Sequence, residues 1–129
     1  MGTQCLIDTS AVIKYLNQTF PLKGISYIDS FIETDCTISV ISEIELQVWS
    51  PVNEEDRFVY KQFVAKSQII QLDASIIAET INVRKNFRLK IADAITAATA
   101  ITLNRTLVSD NDGDFTRVPS LKYINPRLL

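Results

Sequence analysis

"KIADAITAATAITLNRTLVSD", residues 90–110, is the stretch whose reading decides the fold. Between Lys90 and Arg105 the only charged side chain is Asp93, set among Ile91, Ala92, Ala94, Ile95, Ala97, Ala98, Ala100, Ile101 and Leu103. Apolar residues fall nearly all round the helical wheel and many are small, so the pattern predicts a buried, closely packed helix. "TLVS", directly after it, reads as a short buried strand. A buried helix feeding a buried strand belongs to a layered α/β domain. The stretch also poses a problem. Desolvating an unpaired carboxylate costs several kcal/mol. Asp93 therefore either serves its own helix N-terminus or faces a site that wants negative charge.

Outward from this stretch the same alternation repeats. "QCLID" reads as a strand and "SAVIKYLNQ" as a helix; Pro21 and Gly24 punctuate the next connection, and "ISYIDSFIE" is helical. "CTISVI" is strand-like, "SEIELQVWS" helical up to Pro51, and "EEDRFVYKQFVAKS" carries the helical period through Phe58, Val59, Phe63 and Val64. "QIIQL" is a third strand, and Asp73 is placed to N-cap the helix "ASIIAETINVRKNF". After "TLVS" come an acidic turn, "DNDGDF", and a last strand, "LKYIN". Strands that are apolar throughout, rather than alternating, are those of a parallel sheet covered on both faces. The expectation is a three-layer α/β/α sandwich with a mainly parallel sheet of about five strands, formed by residues 1–129 as one domain.

Composition bounds the chemistry. The 129 residues, 47% hydrophobic and 22% charged, suit one globular domain with a proper core. No apolar run approaches the roughly 20 residues of a membrane helix, and the N-terminus lacks the pattern of a signal peptide. Cys5 and Cys36 both sit in strand-like runs, which fits buried thiols in a reducing cytoplasm better than a disulfide framework. Histidine is absent, which removes Ser-His-Asp and Cys-His nucleophiles, imidazole bases and most zinc sites. Charge is uneven: eight of the thirteen lysines and arginines lie from Arg84 onward. Arg84, Lys85, Arg88 and Lys90 cluster just ahead of Asp93. They form either a solvated helix end or a phosphate-contacting rim.

In open α/β sheets, sites form beyond the carboxyl ends of strands, at the topological switch point. Asp8 ends the first strand, Glu43 and Glu45 follow the second, and Asp110, Asp112 and Asp114 follow the fourth. Asp93 opens the helix leading to that fourth strand and reaches the same edge. Each acid has a structural reading as well. Ser42 and Glu45 match a capping box, Asp93 suits a helix N-terminus, and Asp8 could form an Asx-turn or cap the next helix. Residues 110–114 could be a solvated turn. Their joint placement on one rim favours a site. Carboxylates without histidine suit Mg²⁺ or Mn²⁺, which take oxygen ligands.

"LIDTSAVI", "ISVISEIEL", "ADAITAATA", "LVSDNDGDF" and "LKYINP", in this order, resemble the PIN domain, and more closely the VapC ribonucleases of type II toxin–antitoxin systems. The resemblance implies that Asp8, Glu45 and Asp93 are catalytic and metal-holding acids. Ser10 and Ser109 match hydroxyl positions that order the acids and water. Asn111 falls on the fourth site position. Asp110, Asp112 or Asp114 could supply its charge, Asp114 being the nearest acid before Phe115. Ala92 stands where many relatives have proline, and Ser109 where threonine is commoner.

What the resemblance implies is a cytoplasmic endoribonuclease dependent on Mg²⁺ or Mn²⁺, in which activated water hydrolyses RNA to 5′-phosphate and 3′-hydroxyl ends. Arg84, Lys85, Arg88 and Lys90 are then candidates for RNA backbone contacts. A cognate VapB-like antitoxin and a homodimer are implied partners, with Trp49, Tyr60 and Phe63 either lining an interface or packing the core. A phosphoacceptor domain of the response-regulator type would want paired acids after the first strand, and a haloacid-dehalogenase-like phosphatase would want D-x-D there; "DTS" supplies neither. The remaining rival is a PIN-like domain that has lost catalysis and serves as a binding or assembly module.

Overall fold

The computed structural model describes residues 4–48 and 53–129. Strand β1 (Cys5–Ile7) leads into helices α1 (Thr9–Leu16) and α2 (Leu22–Ile32). Then come β2 (Thr37–Ser39), α3 (Val40–Val48), α4 (Glu54–Lys66) and β3 (Gln68–Ile70). Helices α5 (Ala74–Phe87) and α6 (Ile91–Thr102), strand β4 (Thr106–Val108), the short α7 (Asp112–Phe115) and β5 (Tyr123–Ile124) complete the order, before a single 3₁₀ turn at Pro126–Leu128.

All the strand pairs are parallel, as the apolar strand pattern requires: β1 pairs with β4, β4 with β5, and β2 with β3. Strands β1 and β2 lie side by side without a continuous ladder. The spatial order is therefore β3-β2-β1-β4-β5. The chain runs outward from β1 through β2 to β3, then returns to build β4 on the other side of β1. That reversal puts the switch point between the carboxyl ends of β1 and β4.

The pleat of three-residue strands is enough to make two cores. Cys5, Ile7 and Val108 face one way, into a cluster with Ala11, Val12, Ile28, Ile38 and Leu46. Leu6 and Leu107 face the other way, into a cluster with Val83, Leu89, Ala94, Ala97 and Phe115. Adjacent residues on one strand thus bury against opposite helical layers, which makes the three-layer sandwich. Helix α6 is the buried element its composition predicts, with every residue from Ala94 to Ala100 buried. Its alanines let α5 pack closely along it.

Local chemistry sets the boundaries. Asn53 caps α4 by accepting from the Asp56 N–H at 2.8 Å, and Asp73 caps α5 through Ile76 at 2.8 Å, as its position predicts. Strand β2 is shorter than "CTISVI" because Ser39 Oγ accepts from the Ser42 N–H at 3.3 Å, so the helix starts at Val40. The expected turn at "DNDGDF" contains the helical turn α7. Gly24 is required by a close approach: a Cβ there would stand 2.3 Å from the Pro126 carbonyl oxygen. That contact fastens the C-terminal turn to α2. Both cysteines are free thiols, Cys5 buried and Cys36 partly so. Among the described residues no helix is long and apolar enough to cross a membrane. Trp49 lies outside the described residues.

Candidate active site

The first carboxylate is positioned by the end of the sheet. The Asp8 N–H donates to the Val108 carbonyl at 3.0 Å, extending the β1–β4 ladder by one bond. Its carbonyl accepts from Val12 N at 3.0 Å and begins α1. The side chain makes no capping bond, so the helix-cap reading does not hold. Instead Asp8 Oδ2 accepts from Ser109 Oγ at 2.8 Å, across the switch point, and from Ser10 Oγ at 3.2 Å. Burial pushes the Asp8 carboxyl up, and these hydroxyl donors oppose the shift.

Asp93 lies in the first turn of α6, where Lys90 occupies the N-cap position without a side-chain cap bond. Its pKa is raised to about 6, first by burial, then by the charges of Asp8 and Asp114. It shares a hydrogen bond with Asp114, whose own carboxyl is held down chiefly by the Asn111 amide. The puzzle of a charge in an apolar helix thus resolves into a meeting of acids.

Glu45 arrives from α3. Thr9 Oγ1 donates to Glu45 Oε1 at 2.6 Å, and the Thr9 and Ser42 hydroxyls lie 2.9 Å apart. The capping box does not form. Ser42 is inside α3 rather than before it, and its hydroxyl serves Thr9. Thr9 is a site residue that sequence reasoning missed, although it stands between two residues that were singled out.

The acids after β4 separate into different environments. Asp110 is nearly buried, with a side chain 7% exposed; it accepts from Ser10 Oγ at 3.2 Å and is ion-paired with Lys14. Asn111 donates its backbone N–H to Ser109 Oγ at 3.1 Å and its amide to Asp114 Oδ2 at 2.9 Å. Asp114 also pairs with Arg117 at 3.0 Å and stands behind Asp93. Asp112 turns away, accepting from Tyr123 Oη at 2.6 Å and Asn125 Nδ2 at 3.0 Å; these two bonds hold its carboxyl below its ordinary range.

Asp8, Glu45, Asp93, Asp110 and Asn111 line one open cavity of about 590 Å³, together with Thr9, Ser10, Lys14 and Arg127. Glu43, Asp112 and Asp114 are not on its wall. Neither are Arg84, Lys85, Arg88 and Lys90, all exposed. Arg84 and Lys85 form the last turn of α5, Arg88 is its left-handed C-cap with φ 56°, and Lys90 precedes α6. The first two complement the α5 dipole, as the solvated helix-end reading expects. Lys14 and Arg127, the cations on the cavity wall, were not singled out from the sequence. The i, i+4 spacing of Ser10 and Lys14 was the available signal for the first.

The donor set suits a hard divalent ion: it is all oxygen, it gathers like charges, and hydroxyl groups brace it. Among the described residues no three acids converge as a complete ligand set, so an ion held here keeps water in its shell. This is a fit for Mg²⁺ or Mn²⁺.

Fold and cavity together define an α/β/α domain with a hydroxyl-braced acidic site at its switch point. The chain belongs to the PIN domain family, whose sequence profile matches residues 5–121. Its fold is that of several solved toxin–antitoxin proteins. A VapBC complex from Salmonella typhimurium bound to DNA contains a chain similar to this one, with a TM-score of 0.80 and 19% identity, over 97% of this chain and 99% of that one. FitAcB from Neisseria gonorrhoeae gives 0.79 and 23% over 98% and 100%. A toxin–antitoxin complex from Klebsiella pneumoniae gives 0.76 and 22% over 95% and 98%. At these identities the likeness establishes the fold. A sequence comparison with curated proteins finds no match.

Proposed function

We propose that this chain, residues 1–129 as one nuclease domain, is a metal-dependent endoribonuclease and the toxin of a type II toxin–antitoxin pair, acting in the cytoplasm. The observation that carries the reading is that Asp8, Glu45 and Asp93, from three distant segments, line one cavity at the switch point. The Asp8 and Asp93 carboxyls are both raised, first by burial and further by neighbouring like charges, so holding these acids together is costly. A structural role gives no reason for that cost.

Asp8, Glu45 and Asp93 would hold Mg²⁺ or Mn²⁺, which supplies Lewis acidity at the phosphoryl group and a water acidic enough to attack near neutral pH. The chain's own contribution is positioning. Ser109 and Ser10 fix the Asp8 carboxylate, and Thr9 fixes Glu45, so neither acid needs to reorganise during the reaction. Asn111 steers Asp114 and leaves Asp93 as the acid at the cavity. Arg84, Lys85, Arg88 and Lys90 would meet RNA farther from the cut.

A cognate antitoxin and a second copy of the chain are the partners this reading implies. Its support is that the similar solved chains come from toxin–antitoxin complexes. A groove of about 630 Å³, walled by Tyr15, Leu16, Phe58 and Phe63 on its apolar part and by Glu33, Gln62 and Lys66 on its polar part, offers a receiving surface. Tyr60, by contrast, is buried.

The test is incubation of the antitoxin-free protein with total cellular RNA and Mg²⁺ or Mn²⁺, beside EDTA and Asp93→Asn controls. Discrete cuts with 5′-phosphates, absent from both controls, are expected. Cleavage that survives both controls refutes the mechanism. A folded protein that never cuts RNA supports the second reading, a binding module.

A further inference from the structure

Sequence position points to the basic run at residues 84–90 for phosphate contacts, yet none of its side chains reaches the acidic cavity. A phosphodiester entering that cavity meets Asp8, Glu45, Asp93 and Asp110, and repulsion opposes its approach. The chain's own cations on the wall are Lys14 and Arg127. They are not equivalent. Arg127 sits on the C-terminal 3₁₀ turn, outside the hydrogen-bonded set of Asp8, Ser10 and Asp110.

Lys14 is held by the site itself. It shares the face of α1 that carries Ser10, four residues earlier. Its ammonium is paired with Asp110, which accepts from Ser10 on its other oxygen, and Ser10 also donates to Asp8. The pair is asymmetric: the Asp110 side chain is 7% exposed and that of Lys14 42%. A buried anion therefore anchors a partly exposed cation on the cavity wall, with N–H donors beyond the one that Asp110 takes.

We infer that Lys14 is the substrate-contacting cation of the cavity, anchored by Asp110 so that it binds the phosphate beside the acids; this rests on the RNA-hydrolase reading above. Asp110 then acts as the positioning residue for Lys14 rather than as an ion ligand. The role fits lysine, a compact charge with three donors on a flexible stem.

The experiment measures anisotropy of a fluorescein-labelled single-stranded RNA of about twelve nucleotides, in EDTA, over a salt series from about 50 to 200 mM. The variants are Lys14→Met, Lys14→Arg, Asp110→Asn and the double variant Lys14→Met/Asp110→Asn. Lys14→Met is expected to weaken binding roughly tenfold and to reduce the salt slope by about 0.7, the value of one phosphate contact on a single strand. Lys14→Arg should restore most of both. The double variant should bind as weakly as Lys14→Met. An unchanged salt slope in Lys14→Met overturns the assignment. So does recovery of wild-type binding in the double variant, which would make Lys14 a counter-ion of Asp110 alone. A wild-type protein that does not bind the strand at all also overturns it. If wild type binds the strand but leaves it uncut when Mg²⁺ is supplied, the nuclease reading fails and the Lys14 contact stands. If wild type cuts while Lys14→Met keeps its slope, only the Lys14 assignment fails.

Discussion

The two ends of the parallel sheet treat buried charge in opposite ways. At the amino end, Arg105 Nη1 donates to Asp35 Oδ2 at 3.1 Å and to the Cys5 carbonyl at 3.0 Å, which joins the approaches to β1, β2 and β4. Each charge there has a partner of opposite sign. At the carboxyl end, Asp8, Glu45 and Asp93 line one cavity, and the Asp93 pKa is raised to about 6, first by burial and then by the charges of Asp8 and Asp114. One end is built for stability alone. The other gathers like charges around Asp93, which a bound cation or a proton relieves. A buried carboxylate is therefore informative through its neighbours rather than through its burial.

The sharpest way to break the comparison is at the amino end. Arg105→Met leaves the partly exposed Asp35 carboxylate without its cation, though still bonded by Thr37, and denaturant unfolding should show a loss of about 2 kcal/mol. Activity per folded molecule should remain, because Arg105 is far from the cavity.

At the carboxyl end the sign reverses. Asp8→Asn should reduce RNA cleavage by more than the roughly 100-fold that follows loss of an outer partner of a metal site. Metal-free stability should hold or rise, since the amide oxygen still accepts from Ser109 while a repelling charge is gone. A destabilised Asp8→Asn protein would contradict the account of that end.

A smaller effect is expected behind Asp8. Ser109→Ala removes a fully buried donor, worth about 1 kcal/mol. Cleavage should fall about tenfold, and Ser109→Thr should restore it.

The smallest effect is in pH. Folding raises the Asp93 pKa from 3.8 to about 6, so between those values the native state binds more protons than the unfolded one. Stability contributed by this group is present below pH 3.8 and lost as pH rises through about 6. Partial exposure of Asp93 discounts the loss to about 1 kcal/mol, or about 4 °C in Tm. Other carboxylates titrate in the same range, so the measurement is the difference in Tm between metal-free wild type and Asp93→Asn across pH 4 to 7. That difference should grow with pH, and millimolar Mg²⁺ should shrink it. A pH-independent difference would remove the repulsion from the argument.

Much of the site was legible from residue order because the strand-end rule is local. Asp8 directly follows an apolar strand, and Asp93 opens an apolar helix, so both could be placed on a rim without knowing any contact. The acids after β4 could not be sorted in this way. Asp110, Asp112 and Asp114 share one short segment, and period and propensity treat them alike. Their roles separate only through Lys14 from α1, Tyr123 from β5 and Asp93 from α6. The basic run at 84–90 is a case in which closeness in sequence does not set position at the cavity. It lies beside Asp93 in sequence, yet Arg88 ends α5 in a left-handed residue, and the run stays off the cavity wall.

The sequence by itself determined the order of elements, the parallel sheet with two apolar faces, the buried α6 and the rim on which Asp8, Glu45 and Asp93 meet. These follow from hydrophobic period and strand-end position, which are properties of neighbouring residues. Only the tertiary structure decided which hydroxyl holds which acid, which of three aspartates faces the cavity, and that Lys14 stands there with Asp110. Those pairings join residues from distant segments at hydrogen-bond range, where a single residue's rotation about a helix axis changes the partner.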